Sequence, residues 1–211
     1  MAALVSNLRA AVCATVLAVM VGAAAPAPGP QADDMALGSA KARVTVVEYA
    51  SASCPHCARF NNNVFPAFKK KYVDTGKVRY VMREFLTQPA EIAAAGFLLA
   101  RCAGKDKYFP TLDNFFHGLE QMYQTGDARG LINAVAGKAG LTPAQADTCI
   151  SDAAGQQALN DRARRHAVDD DVHGTPTFRI NGKPLPETDH EVNLADLDAA
   201  ITPLLTRPGR R

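Results

Sequence analysis

The 211-residue sequence has no excess of charge: 23 basic side chains stand against 21 acidic ones, a formal balance of +2. That is too little to draw the chain to nucleic acid or to an anionic membrane by charge alone. A bilayer-length hydrophobic run is also missing. AAVCATVLAVMVGAAA near the N-terminus is 16 apolar or small residues long, against about 20 for a spanning helix. No internal repeat is visible, so one globular unit with an ordinary core is the expectation. There is no second C-x-x-C, and His117, His166, His173 and His190 stand singly. A tetrahedral zinc site is therefore not assembled by spacing. Cysteine is scarce, with five in all.

What the N-terminus does contain reads as an export signal. Arg9 is the only charged side chain in the first 32 residues, and small residues at Gly22 and Ala24 fit cleavage before Ala25. Residues 1–24 are thus expected to be a cleaved signal peptide, cut here or slightly later and taking Cys13 with it, the alternative being an uncleaved anchor; residues 25–37 read as a flexible leader with nothing to pack. Cys54, Cys57, Cys102 and Cys149 remain, an even number that in an exported chain favours disulfides.

RVTVVEYA puts Val44, Val46 and Glu48 on one face and Thr45, Val47 and Tyr49 on the other, with apolar residues on both, as a central strand covered on both sides would. A helix follows, with Phe60, Val64, Phe68 and Tyr72 at four-residue steps and Pro66 expected to kink it. KVRYVMREF is a second strand, giving a βαβ unit. Residues 86–171 are helical in pattern, with a strong stripe at Leu112, Phe115, Phe116, Leu119, Met122 and Tyr123. TPAQ at 142–145 supplies a capping box, and RARRH at 162–166 is expected to be a solvated helix face. Strand character returns at TFRINGKPL, where Asn181-Gly182 signals a hairpin. A last helix carries Leu194, Leu197, Ile201 and Leu204, and residues 206–211 form a tail.

The chemistry lies in CPHC, at the junction of the first strand and its helix. Pro55 suits a first helical turn, and Cys54 at the boundary faces unpaired N–H groups and the positive end of the helix dipole. Both favour a thiolate, which makes Cys54 the nucleophile and Cys57, one turn on, the resolving thiol. Such environments lower a cysteine pKa by about 1 to 5 units. Stabilising the dithiol makes the disulfide a stronger oxidant, and His56 could add an electropositive donor. A structural disulfide three residues apart would close almost no loop.

A second signal is HGTPTF, residues 173–178, leading into a strand. The pairing of C-x-x-C with Thr175-Pro176 before a late strand resembles the thioredoxin superfamily. CPHC with a helical insertion, over residues 38–205, resembles the DsbA family of exported thiol:disulfide oxidoreductases. The resemblance implies an α/β thioredoxin-fold domain from 38–85 and 172–205, with residues 86–171 as an inserted helical domain. It further implies that Cys54 is attacked, Cys57 resolves, and Pro176 is cis, leaving the Thr175 backbone to pair with an extended client peptide. Glu48 matches a strand carboxylate beneath the active site, either a proton acceptor for Cys57 or an ordinary ion pair, with Arg83 as the expected partner.

Cys102 and Cys149 fall in two helices of the insertion and are either buried thiols or a bridge worth about 4 kcal/mol of unfolded-state entropy. Some members of the family carry such a bridge, which favours the structural disulfide.

The resulting expectation is a monomeric periplasmic enzyme. It would give the Cys54–Cys57 disulfide to reduced, newly exported polypeptides and be reoxidised by a membrane protein of the DsbB kind, with neither metal nor organic cofactor. Two rivals are a disulfide isomerase or reductase kept reduced by its partner, and a metal-binding or structural module using the cysteines as ligands.

Overall fold

The computed structural model describes residues 31–186 and 188–206. The signal-peptide reading of residues 1–24 lies outside the described residues, as does most of the tail.

Five strands form one sheet in the order β1-β3-β2-β4-β5. β1 is Met35–Leu37, β2 Val44–Ala50, β3 Val78–Glu84, β4 Thr177–Ile180 and β5 Lys183–Pro184. β2 and β3 are parallel, and the remaining pairs are antiparallel. Alternation along β2 places Val44 and Val46 in the main core with Phe60, Phe68 and Tyr80. Val47 and Tyr49 pack with Val81 and Val172 on the opposite face. Both faces are covered, as a strand apolar on both sides requires. Asn181 and Gly182, with φ of 48° and 81°, turn β4 into β5, the positive-φ pair a two-residue hairpin demands.

The crossover from β2 to β3 begins with α1 (Pro55–Asn63). Val64 separates it from α2 (Phe65–Phe68), and a wide π turn over Lys69–Val73 completes it. Pro66 has no N–H to continue the ladder, so the expected kink is a full interruption. The insertion comprises α3 (Ala90–Cys102), α4 (Tyr108–Thr125), α5 (Ala128–Ala139), α6 (Pro143–Ser151) and α7 (Ala153–Val168), and α8 (Leu194–Thr206) closes the described chain. α6 starts with the capping box: Gln145 N–H donates to Thr142 Oγ1 and Thr142 N–H to Gln145 Oε1. Cys102 at the end of α3 is disulfide-bonded to Cys149 in α6, with Cα atoms 5.9 Å apart.

Three expectations are corrected. The leader does pack: Met35 is buried and residues 35–37 pair antiparallel with β3, Met35 opposite Met82. Three residues carry no periodic signal, and the contacts that fix them are distant in sequence. Gly38 (φ +82°) ends the strand against Val78, whose carbonyl oxygen would lie 2.5 Å from a Cβ there. RARRH is not a solvated face. Arg162 is buried with its Nε donating to Glu84 Oε2 at 2.6 Å, and buried His166 places Nδ1 2.8 Å from the Glu84 carbonyl. Tyr123 leaves the apolar stripe of α4, being 42% exposed.

Candidate active site

β2 ends at Ala50, and Ser51–Ser53 lead directly into α1. This short link is clamped by hydroxyls. Ser51 Oγ receives Thr87 N–H at 3.2 Å and the Thr87 hydroxyl at 2.9 Å, and Ser53 Oγ donates to the Thr87 carbonyl at 3.1 Å. From α4, the Tyr123 hydroxyl donates to the Ser53 carbonyl at 2.6 Å. Ser51, Ser53 and Thr87 are not legible in the sequence, because isolated hydroxyls carry no periodic signature. They fix the chain on either side of Thr87 to the residue preceding Cys54.

Cys54 is the N-cap of α1, extended at φ −83° and ψ 119°, and Pro55 occupies the first helical turn. Its sulfur lies 3.3 Å from the Thr175 carbonyl, which accepts from the thiol in its protonated form. The peptide bond Thr175–Pro176 is cis. A hydrogen bond from the Cys57 thiol, assisted by the Thr175 side chain and the amides of Cys57 and His56, overcomes burial and holds Cys54 down at about 5. Cys57, with no exposed surface, is pushed well up by burial, then by the Cys54 sulfur and by the charge of Glu48. The helix start therefore divides two like thiols into an anion and an acid.

Glu48 lies beneath them, buried, and burial pushes its carboxyl up to about 8 although the Tyr80 hydroxyl donates to Oε2 at 2.5 Å. Arg83 is not its partner. In register, Glu48 faces Met82 while Arg83 faces Tyr49, so the alternation of a strand sends Arg83 to the other side of the sheet. There it donates to Asp34 at 3.1 Å and Asp170 at 2.9 Å. Tyr80, two residues from Met82 on β3, shares the face of Glu48.

His56 is solvent-exposed and its Nδ1 is 2.6 Å from Glu191. A groove of about 1400 Å³ runs past His56, Thr175 and Pro176 toward residues 182–186 and 188–192. Among the described residues no group of three or more His, Cys, Asp or Glu is placed to hold a metal ion, and no helix is long and apolar enough to cross a membrane.

The family model described as Thioredoxin matches residues 31–202. The crystal structure of Wolbachia pipientis α-DsbA1 superposes with a TM-score of 0.73 at 27% identity, covering 83% of this chain and 92% of that one. The chain is a DsbA-like member of the thioredoxin family. Proteins of that kind carry a helical domain inserted into the thioredoxin fold, and in this chain α3–α7 lie between β3 and β4. A Rickettsia typhi protein provisionally named a protein-disulfide oxidoreductase is 35% identical over 151 residues, 71% of this chain and 55% of its own length. Disulfide bond formation protein D of Bacillus subtilis is 30% identical over 88 residues, 42% of this chain and 37% of that protein. The chain thus spans about half the length of the Rickettsia relatives that it matches.

Proposed function

We propose that this thioredoxin-family chain is a protein dithiol–disulfide oxidoreductase that gives its Cys54–Cys57 disulfide to reduced polypeptides in a periplasm. The observation that carries the reading is the opposed tuning of the two sulfurs, Cys54 down at about 5 and Cys57 well up. The signal-like residues 1–24 support export.

A client thiolate attacks Cys54 Sγ, the sulfur at the surface end of the pair, since Cys57 has no exposed surface. The Cys54–Cys57 bond breaks, and Cys57 leaves with the electron pair and takes a proton, which Glu48 is placed to supply. A second client thiolate then attacks the client sulfur of the mixed disulfide, closing the client disulfide and releasing Cys54 as thiolate. The client loses two electrons and two protons. At neutral pH the protein keeps both electrons and one proton, and the other proton goes to solvent. The Thr175 backbone and the adjoining groove receive the client as an extended segment. A membrane protein of the DsbB kind, linked to quinone, removes the two electrons to regenerate the disulfide.

The test is equilibration of the full chain with glutathione buffers, with thiolate absorbance followed against pH. An oxidising potential with an acidic Cys54 supports the donor role, whereas a value near the roughly −270 mV of thioredoxin makes the chain a reductase. Cys54→Ser should abolish client oxidation, and Cys57→Ser should accumulate mixed disulfides. Equal and complete inertness of both variants contradicts the roles given to them.

A further inference from the structure

We propose that Glu191, on the segment between β5 and α8, is a positioning residue that limits the oxidising strength of the Cys54 centre by engaging His56 and Arg59, the basic side chains of α1. The inference rests on reading Cys54 as the reactive thiolate. His56 was expected to add an electropositive donor to the site, yet its ring is turned to a carboxylate. Nδ1 is 2.6 Å from Glu191 Oε1 and 2.8 Å from Arg59 Nη2. One ring nitrogen serves one neighbour at a time: carrying a proton it donates to Glu191, and without one it accepts from Arg59. Arg59 Nε donates to both Glu191 oxygens, at 2.9 and 3.0 Å, and Nη2 donates to Oε1 at 2.5 Å.

The consequence follows from where charge appears during the reaction. The Cys54–Cys57 disulfide is neutral, while the reduced pair holds a thiolate, so a fixed charge at the start of α1 acts on the reduced form alone. Arg59 stands on α1, whose N-cap is Cys54, and the thiolate draws its pKa upward after the larger effects of Glu191 and of burial. Arg59 must therefore stabilise the thiolate in return, and a carboxylate seated on Arg59 offsets that help. Glu191 stays ionised through the working range, since Arg59 above all, and then His56, hold it down at about 2 against slight burial.

The other titratable groups around Cys54 are Cys57 on α1, Glu48 and Tyr80 beneath, and Tyr123 on α4. Glu120 of α4 acts on Arg59, and His173 beyond the Thr175–Pro176 turn pairs with Asp171. None of them bonds Glu191, so a change at Glu191 can be read apart from them.

The experiment compares the full chain with Glu191→Gln, Glu191→Asp and Arg59→Gln by thiolate absorbance against pH and by the equilibrium constant with glutathione. Glu191→Gln should lower the Cys54 titration point and shift the constant toward the reduced protein by about two- to fivefold, the span that partly exposed charges produce. Glu191→Asp should restore wild-type values, and Arg59→Gln should shift both readings the other way. A titration point that stays put or rises in Glu191→Gln overturns the proposal. Because the readout is a difference between variants, it stands whether the wild-type chain is oxidising or reducing. A failure of the donor reading is thus seen separately.

Discussion

Two cysteines three positions apart behave oppositely because Cys54, at the helix boundary, receives hydrogen bonds, first from the Cys57 thiol, while Cys57 is sealed inside the helix. That asymmetry dictates the proton count of the proposed redox reaction. Between about 5, where Cys54 titrates, and the high value of Cys57, the reduced pair binds one proton; below about 5 it binds two. One proton per two electrons changes the potential by about 30 mV per pH unit, and two protons by about 60 mV. A plot of potential against pH should therefore steepen below about 5, and a single slope across that point contradicts the assignment. Glu48 makes a second prediction. Its folded-state value, about 8, lies above the unfolded 4.5, so the native state holds the proton more tightly. The stabilisation is full below the unfolded value and is lost as pH rises through about 8, several kcal/mol in all at about 1.36 kcal/mol per unit. Urea unfolding of Glu48→Gln should lack that decline while keeping an acceptor for Tyr80. Of the candidate site, Cys54 and Cys57 were legible from the C-x-x-C spacing, and the 175–176 turn from the family resemblance; the fold brings the turn within 3.3 Å of Cys54. The partner of Glu48 was hidden, since which face of β3 meets it depends on register, set by pairing between strands rather than by either strand alone.

At the level of elements, the position of Cys54 depends on how closely α3 approaches the turn before α1. Gly96 makes that approach possible: a Cβ there would lie 2.6 Å from Ala52 Cβ and 3.3 Å from the Phe115 ring. In Gly96→Ala the overpacking cost, about 1–3 kcal/mol, is set against about 1 kcal/mol of improved helix propensity. A net loss of stability is expected, with a displaced Cys54 titration, because Ala52 is two residues from Cys54. A variant as stable as wild type with unchanged titration shows that the turn yields freely. Long periodic elements, α4 above all, were legible from their stripes. β1 was not, because three residues are too few for alternation to register. Tyr123 continues the stripe of α4 and so has the pattern of a core residue, but it is 42% exposed and its hydroxyl reaches the Ser53 carbonyl instead.

For the molecule as a whole, the question is what joins the inserted helices to the sheet that carries the site. The end of β3 answers it through one buried carboxylate. Glu84 Oε1 accepts from Arg101 of α3 at 2.5 Å and from the Tyr108 hydroxyl of α4 at 3.1 Å, while Oε2 accepts from Arg162 of α7 at 2.6 Å. On the neighbouring residue of β3, Arg83 ties the segment before β1 and the end of the α7 region to the sheet through Asp34 and Asp170. A buried ion pair need not add stability over an apolar replacement, but removing one partner leaves the others charged and dry. Glu84→Ala abandons two arginines at once and should cost about 3–5 kcal/mol in urea unfolding. Adding Arg162→Met should recover part of that loss, because one stranded charge is then gone. Glu84→Ala also loosens the chain three residues before Thr87, the residue that clamps Ser51 and Ser53. Cys54 should then titrate closer to a free thiol even where Glu84→Ala remains folded. A folded Glu84→Ala protein with an unmoved Cys54 titration makes the insertion a passive cover, whereas a shift makes it part of the apparatus that holds the nucleophile in place.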